Sequence, residues 1–500
     1  MAMIRRLSPT LPAVPFGLLA LMGLAALLGL ASAILPAWFI LSVLVVPAVA
    51  AMTLVRPEYA MTACAAFVGG LIHPALVPRI PLFGGVLAAA DFALAMLLVY
   101  GLLALATGKA KVPSPPVAGA RLLAVALSLF GVALAFAVVH SLVVLQLSPK
   151  FVLGQTRGLL YLLLLPVAVV ILRTRERQER FVVSLVVLGC LFSIGQVLQG
   201  VFNIPVFGDQ GISVLETLGR EDAGTTRSNT LGLNVIILAL LLTVAAYSVD
   251  GIGRLKFLAV AGLLSIGIGL TFGRTTFAVL LVCLIILVGW LNPKKLLPFF
   301  ALFLIALATV AVLGKHFKPD SFDAIYFRMT SIGDEIDHGY SAQWRVWEFE
   351  AMLPHIKEHP LAGIGLGADY KGLSGSSARP ELNRYMHNAY FFMAGKMGVP
   401  ALMLFLLSML AIFFMGRRTA KLHSSPWSRV VGAASAVMMI RFFLASVTEP
   451  HLMSDYGVVV IAICGALAYL GAQRPNTSGP ERPPTRIATD RTRPSWQAAV

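Results

Sequence analysis

Apolar stretches of about 20 residues, broken by charges, prolines and glycines, recur along nearly the whole chain, and few show the polar flank of a half-buried helix. A hydrocarbon core about 30 Å thick takes roughly 20 residues of helix to cross, so each stretch reads as a span. The runs are 14 to 33, 35 to 55, 60 to 77, 85 to 107, 120 to 145, 151 to 172, 181 to 202, 229 to 249, 254 to 272, 274 to 291, 296 to 314, 387 to 415, 430 to 448 and 455 to 472. The pattern predicts an all-α polytopic integral membrane protein with about 12–14 transmembrane helices. Arg5 and Arg6 ahead of the first run imitate a signal peptide, but the run is long enough to span and further spans follow. The third run is short and meets the breaks His73-Pro74 and Pro78-Arg79-Ile80-Pro81, so a re-entrant segment is its alternative reading.

Between the runs lie two segments too long for simple turns, 203 to 228 and 315 to 386. The second is rich in acidic residues and carries Gln343-Trp344-Arg345-Val346-Trp347-Glu348. Residues 344, 347, 351, 352 and 356 form one apolar face, which predicts a helix lying on the membrane surface. The chain thus divides into N-terminal spans (1–314), a large outer loop (315–386), C-terminal spans (387–472) and a tail (473–500). The tail, rich in Pro, Arg and Thr, has little to bury and reads as disordered. No internal repeat or inverted pair of broken helices points to a secondary transporter.

Composition agrees: 58% of residues are hydrophobic and 12% charged, which excludes a soluble domain with a polar shell. The net charge of +16 would suggest nucleic acid in a soluble protein, but here it orients the chain. With the N-terminus inside, Arg56, Lys109, Lys111, Arg121, the cluster Arg173, Arg175, Arg177 and Arg180, then Arg254, Lys256, Lys294, Lys295, Arg417, Arg418, Lys421 and Arg429 fall in cytoplasmic loops. About 23 of the 39 basic residues but only about 6 of the 23 acidic ones are then cytoplasmic, and both termini face inward. Cys64, Cys190, Cys283 and Cys464 lie in apolar runs without metal or redox spacing and read as packing residues.

After the surface helix come Leu361-Ala362-Gly363-Ile364-Gly365-Leu366-Gly367, then Met386-His387-Asn388-Ala389-Tyr390 and Gly398-Val399-Pro400. Upstream are Gly224-Thr225-Thr226-Arg227-Ser228-Asn229-Thr230-Leu231-Gly232 and Thr271-Phe272-Gly273-Arg274, and downstream Glu449-Pro450. In order and spacing these resemble the O-antigen ligase and O-antigen polymerase superfamily of membrane glycosyltransferases, over roughly residues 220 to 470. The resemblance implies an inverting, metal-independent enzyme without a cofactor at the periplasmic face of the bacterial inner membrane. Its donor would be a polyprenyl-diphosphate-linked glycan, its acceptor a sugar hydroxyl on a glycan or lipid core, and its surroundings membrane lipids.

Such an enzyme must hold two phosphates, stabilise charge as the glycosyl bond breaks and remove a proton from the attacking hydroxyl. By resemblance Arg227, Arg274 and Arg345, with Arg220 nearby, take the diphosphate, and His387 is the general base, with Arg274 and Arg345 beside it in catalysis. Arg274 is expected at the outer N-terminus of a span, where exposed N–H groups favour anions. Arg157, Arg441 and Glu449, with Asp91 and His140 at similar depth, would line the substrate cavity, although pairing of Arg441 with Glu449 is the preferred reading for that arginine.

Three patterns tempt otherwise. His355-Ile356-Lys357-Glu358-His359 fits the inverted zinc-protease pattern, but Pro360 ends the helix at once and no distant ligand is identifiable. Gly363 to Gly367 lacks the spacing of a dinucleotide fingerprint and reads as a turn. Asp334, Glu335 and Asp337 read as a solvated acidic loop rather than a metal site. Ligase and polymerase stay open, with a slight lean to ligase because two separate arginine sets are not identifiable. The rivals are a protein-glycosylating member of the superfamily, a permease and a non-catalytic assembly subunit.

Overall fold

The structure is a computed structural model that describes residues 47–71, 79–82, 85–108, 118–202, 204–207, 212–217, 220–228, 230–271, 273–301, 340–371 and 383–473. The expected span 14 to 33, most of 35 to 55 and 296 to 314, the acidic residues Asp334, Glu335 and Asp337, the basic residues Lys109 and Lys111, and the tail from 474 lie outside the described residues.

The described chain runs α1 (Pro57–Val68), β1 (Arg79–Leu82), β2 (Gly85–Ala88), α2 (Ala89–Ala106), α3 (Ala118–Val139), a π-turn (His140–Val144), α4 (Pro149–Leu160), a 3-10 turn (Tyr161–Leu163) and α5 (Leu164–Ile171). It continues with α6 (Arg175–Phe202), β3 (Ile212–Thr217), β4 (Arg220–Ser228), α7 (Leu233–Ser248), α8 (Arg254–Gly269) and α9 (Arg274–Leu291). Beyond residue 340 come α10 (Tyr340–Glu358), α11 (Ala389–Met397), α12 (Val399–Leu422), α13 (Pro426–Ala445) and α14 (Asp455–Gly471).

Among the described residues, seven helical stretches are long and apolar enough to cross a membrane: α2, α3 with its π-turn, α4 with α5, α6, α9, α12 and α13. The shorter apolar helices α7 and α14 are almost wholly buried among them. The outer helices turn large apolar side chains outward, for example Val132 at 69% and Leu103 at 57% exposure, as a protein dissolved in lipid requires. The polytopic helical architecture read from the apolar runs therefore holds.

Three details differ from the sequence pattern. The third run contributes only the 12-residue α1, about 18 Å long and ended by Gly69 and Gly70, which is too short to span. Two antiparallel hairpins appear, β1–β2 before α2 and β3–β4 between α6 and α7, the latter within the long segment 203 to 228. The run 387 to 415 is not one helix: it breaks into α11 and α12 at Gly398, whose φ of +85° no helix accommodates, with Pro400 following.

The basic residues of the loops gather at one end of the bundle and bond to it. Arg180 pairs with the buried Glu58 at 3.4 Å, and Arg177 donates to the carbonyl of Ile171 at 3.3 Å. Lys295 donates to the carbonyl of Tyr247 at 2.7 Å, and Arg429 to those of Leu291 and Ala420 at 3.0 and 3.3 Å. Arg175 lies 4.5 Å over the Trp427 ring. These are carbonyls at helix C-termini, where cations are favoured. Helices α12 and α14 run away from the candidate site to finish at this end, where His423 bonds to the Gln473 carbonyl at 3.2 Å.

Candidate active site

At the opposite end, the long segment that precedes α11 is fastened to the bundle through its glycine run. Gly363, Gly365 and Gly367 have φ of +67°, +93° and +81°, a turn made of left-handed steps that side chains resist. The turn donates inward: Ile364 N–H to the Gly395 carbonyl at 2.8 Å, Leu366 N–H to Ser141 Oγ at 2.8 Å, and Gly367 N–H to Gln155 Oε1 at 2.8 Å. The glycine run is thus a turn wedged between α3, α4 and α11, as its spacing suggests. Ser141 lies in the π-turn that ends α3, the kind of helix irregularity often found beside functional sites.

The turn leads to Lys371, and after a stretch outside the described residues the chain resumes at Asn383. Arg384 pairs with Asp369 at 2.8 Å and lies 3.5 Å over the Phe151 ring, while the Tyr370 hydroxyl donates to the Tyr385 carbonyl at 2.7 Å. His387 is therefore held from both sides of the loop. Next to it Asn388 caps α11, its Oδ1 accepting from Tyr390 N–H at 3.0 Å and Phe391 N–H at 3.1 Å, and the Tyr390 hydroxyl donates to the Phe443 carbonyl at 2.6 Å. The His-Asn-x-Tyr pattern thus has a local cause: a histidine presented at a capped helix start, pinned to α13. Asn388→Ala should cost about 1 kcal/mol of stability, visible as a lower midpoint in thermal unfolding of the detergent-solubilised protein.

The centre of the group is a residue to which sequence reasoning gave no role. Glu348, on α10 one turn beyond Trp344, is 1% exposed. Its Oε1 accepts from Trp344 Nε1–H at 3.0 Å and Lys371 Nζ at 2.5 Å, and its Oε2 from the His387 backbone N–H at 2.9 Å, with His387 Nδ1 at 3.0 Å. Burial raises the cost of its charge, yet the His387 and Lys371 hydrogen bonds hold the carboxyl down at about 2. That ionised carboxylate stabilises the fold above a pH of about 4.5, the ordinary carboxyl value, and the contribution fades as pH falls towards about 2. A carboxylate at Nδ1 makes that nitrogen the N–H, so in the neutral ring Nε2 carries the lone pair. The signal was present in the sequence: a glutamate between Trp344 and Met352 on the apolar face of α10 needs a buried partner.

The other expected site residues lie in separate places. Arg345 neighbours Glu348 on α10 and lies near Glu449, in the connection between α13 and α14. Burial opposes the Glu449 charge, but a hydrogen bond from His451 at 2.6 Å and the charges of Arg441 and Arg345 hold its carboxyl below the usual range. Arg441 is buried, its Nη2 3.4 Å from His451 Nε2, so the expected Arg441–Glu449 pairing passes through His451 between them. The Tyr385 ring stands 5.0 Å from His387, and the Tyr456 ring 6.1 Å from His451, closing the ring of polar groups.

Arg157 instead pairs with Asp91 at 2.8 Å, whose Oδ1 also accepts from the Tyr161 hydroxyl at 2.8 Å. Its neighbour Gly158 packs on the backbone of Met453 and Asp455, so this pair adjoins the connection that carries Glu449. Arg274 is the first residue of α9, as expected, and α9 packs on α13, with Cys283 Sγ 3.7 Å from the Val437 carbonyl. Arg220 and Arg227 lie in β4, opposite Thr217 and Ser213, and their side chains are outside the described residues. His140 stacks on Phe136 at 5.7 Å, at the end of α3.

Residues 257–406 match a family model described as O-antigen ligase. The matched stretch includes Arg274, Arg345, Glu348, Lys371 and His387, and ends before Arg441 and Glu449. No curated protein matches the chain. The resemblance to the O-antigen ligase and polymerase superfamily drawn from the sequence motifs is thus supported by an independent comparison, in a multi-pass membrane protein.

Proposed function

We propose, from that family likeness as premise, that the chain transfers a glycan from a polyprenyl-diphosphate carrier to a sugar hydroxyl, in ligation or polymerisation of a surface polysaccharide. The observation that carries the reading is the Glu348–His387 pair, in which a buried carboxylate orients the ring and leaves Nε2 to accept a proton. In the proposed step the acceptor oxygen bonds to the anomeric carbon while the bond from that carbon to the diphosphate oxygen breaks. The hydroxyl proton passes to His387 Nε2, and the bonding pair leaves with the diphosphate. A single displacement inverts the anomeric centre. Glu348 is a positioning residue that also stabilises the imidazolium formed.

In this reading Arg274 and Arg345, with Arg227 and Arg220 from β4, take the negative charge of the leaving group. Guanidinium forks match phosphate oxygens in pairs and keep their charge at any working pH, so the transfer is proposed to proceed without a divalent metal. Arg274 at a helix N-terminus adds backbone N–H groups to the same task. Glu449 and Arg157 are proposed to line the path of the substrate, with Arg441 supporting Glu449 through His451. The basic end of the bundle is assigned to the cytoplasm, both termini with it, and the site to the periplasmic face of the inner membrane.

Gel analysis of surface glycans from a deletion strain tests the reading. Polymer accumulating without attachment to the lipid core identifies a ligase, and single repeat units identify a polymerase. Unchanged glycan with altered solute uptake would overturn the assignment in favour of a permease.

A further inference from the structure

The Lys371 side chain is wholly buried, with Nζ 5.2 Å from the ring of Trp344, 5.9 Å from that of Trp347 and 5.3 Å from that of Tyr370. A methionine would fill such a pocket without the cost of dehydrating an ammonium group. Lysine adds a positive charge on one oxygen of the carboxylate whose other oxygen holds His387.

We propose that Lys371 tunes the base: by neutralising Glu348 through Oε1, it keeps that carboxylate from loading a proton onto His387 at rest, so that Nε2 is vacant when the acceptor arrives. The inference rests on His387 being the base. A bare buried carboxylate against an imidazole favours imidazolium, which cannot take a proton from the acceptor. With Lys371 in place the resting trio of ammonium, carboxylate and neutral imidazole has no net charge, and the imidazolium forms only as the acceptor is deprotonated. Burial holds the lysine below its usual range and the Glu348 hydrogen bond and charge oppose that shift, while the 2.5 Å contact to a carboxylate held down at about 2 is that of an ion pair.

Charged and titratable groups approach His387 from each packed element. Glu348 on α10 and the Tyr385 ring reach the histidine directly, Lys371 and Tyr370 stand beyond Glu348, Arg345, Glu449 and Tyr456 face Tyr385, and His451 with Arg441 on α13 stands behind Glu449. Of these, Glu348 is hydrogen-bonded to the ring, and Lys371 is the cation bonded to Glu348.

The test is the pH–rate profile of the purified full-length protein in nanodiscs. The donor is lipid-linked glycan extracted from the deletion strain, and the acceptor is core glycolipid from the same strain. In Lys371→Met and in Lys371→Gln, which keeps a donor for Glu348 but no charge, the acid limb should move up by about one pH unit. An unmoved limb in Lys371→Gln overturns the proposal, because hydrogen bonding alone would then suffice, and that variant decides the matter if Lys371→Met does not fold. Failure of the underlying reading looks different: His387→Ala would keep its rate.

Discussion

His387→Ala should lower glycan transfer by about a hundred- to ten-thousand-fold, the usual share of a positioned general base, while the protein still extracts as a folded species. The structure gives reason to expect intact folding. His387 is one-third exposed, the cap of α11 comes from Asn388, and the anchors of the segment are Tyr390, Arg384 and Tyr370. Removing the ring leaves Glu348 with the His387 backbone N–H, Trp344 and Lys371, so its charge remains paired. In vitro transfer with extracted donor and acceptor measures the loss. A rate near that of the parent would remove His387 from the mechanism and with it the tuning role of Lys371.

Gly398→Ala should have the largest effect on folding. An added Cβ there would stand 2.1 Å from the Leu361 carbonyl oxygen and 2.5 Å from its carbon, both backbone atoms that have no rotamer to change. The left-handed φ adds its own penalty, so a loss on the order of 3 kcal/mol is expected. The obstacle lies where the segment after α10 meets the junction of α11 and α12, with Val399 N–H donating to the Pro360 carbonyl at 2.8 Å. The expected readout is a collapse in yield of monodisperse protein, accompanied by loss of transfer because α11 carries His387 at its start. Normal yield and melting behaviour in Gly398→Ala would mean that the close approach is not required.

The spans were legible because lipid leaves the chain little choice. An apolar run of sufficient length must close its own backbone hydrogen bonds, and α6, α9 and α13 fall where the runs predicted. The division at Gly398 was less so, since Met397 before it and Val399 after it continue the hydrophobic character across a break that φ reveals. The β3–β4 hairpin escaped because β4 carries Arg, Glu, Asp and Thr rather than alternating apolar residues. At the site, His387, Arg345 and Arg274 could be picked out from motif order, but the Glu348–Lys371 pair could not. Its members stand 23 residues apart, joined by a loop whose path depends on three left-handed glycines. Glu348 on the apolar face of its helix signals that a partner is needed, but only the folded loop identifies Lys371 as that partner.

The bonds from Arg177, Lys295 and Arg429 to terminal helix carbonyls bear on how the membrane orientation can be probed. Reporter fusions and charge-reversal scans assume that a loop cation is an independent signal to the insertion machinery. Here each of the three is also an anchor for a specific helix end, and Arg180 neutralises a carboxylate that is otherwise buried. A Lys or Arg exchanged for Glu would therefore change assembly as well as insertion, and poor expression of such a variant would not report inverted topology. Arg418 and Lys421, on the more exposed turns near the end of α12, are the better positions for that experiment.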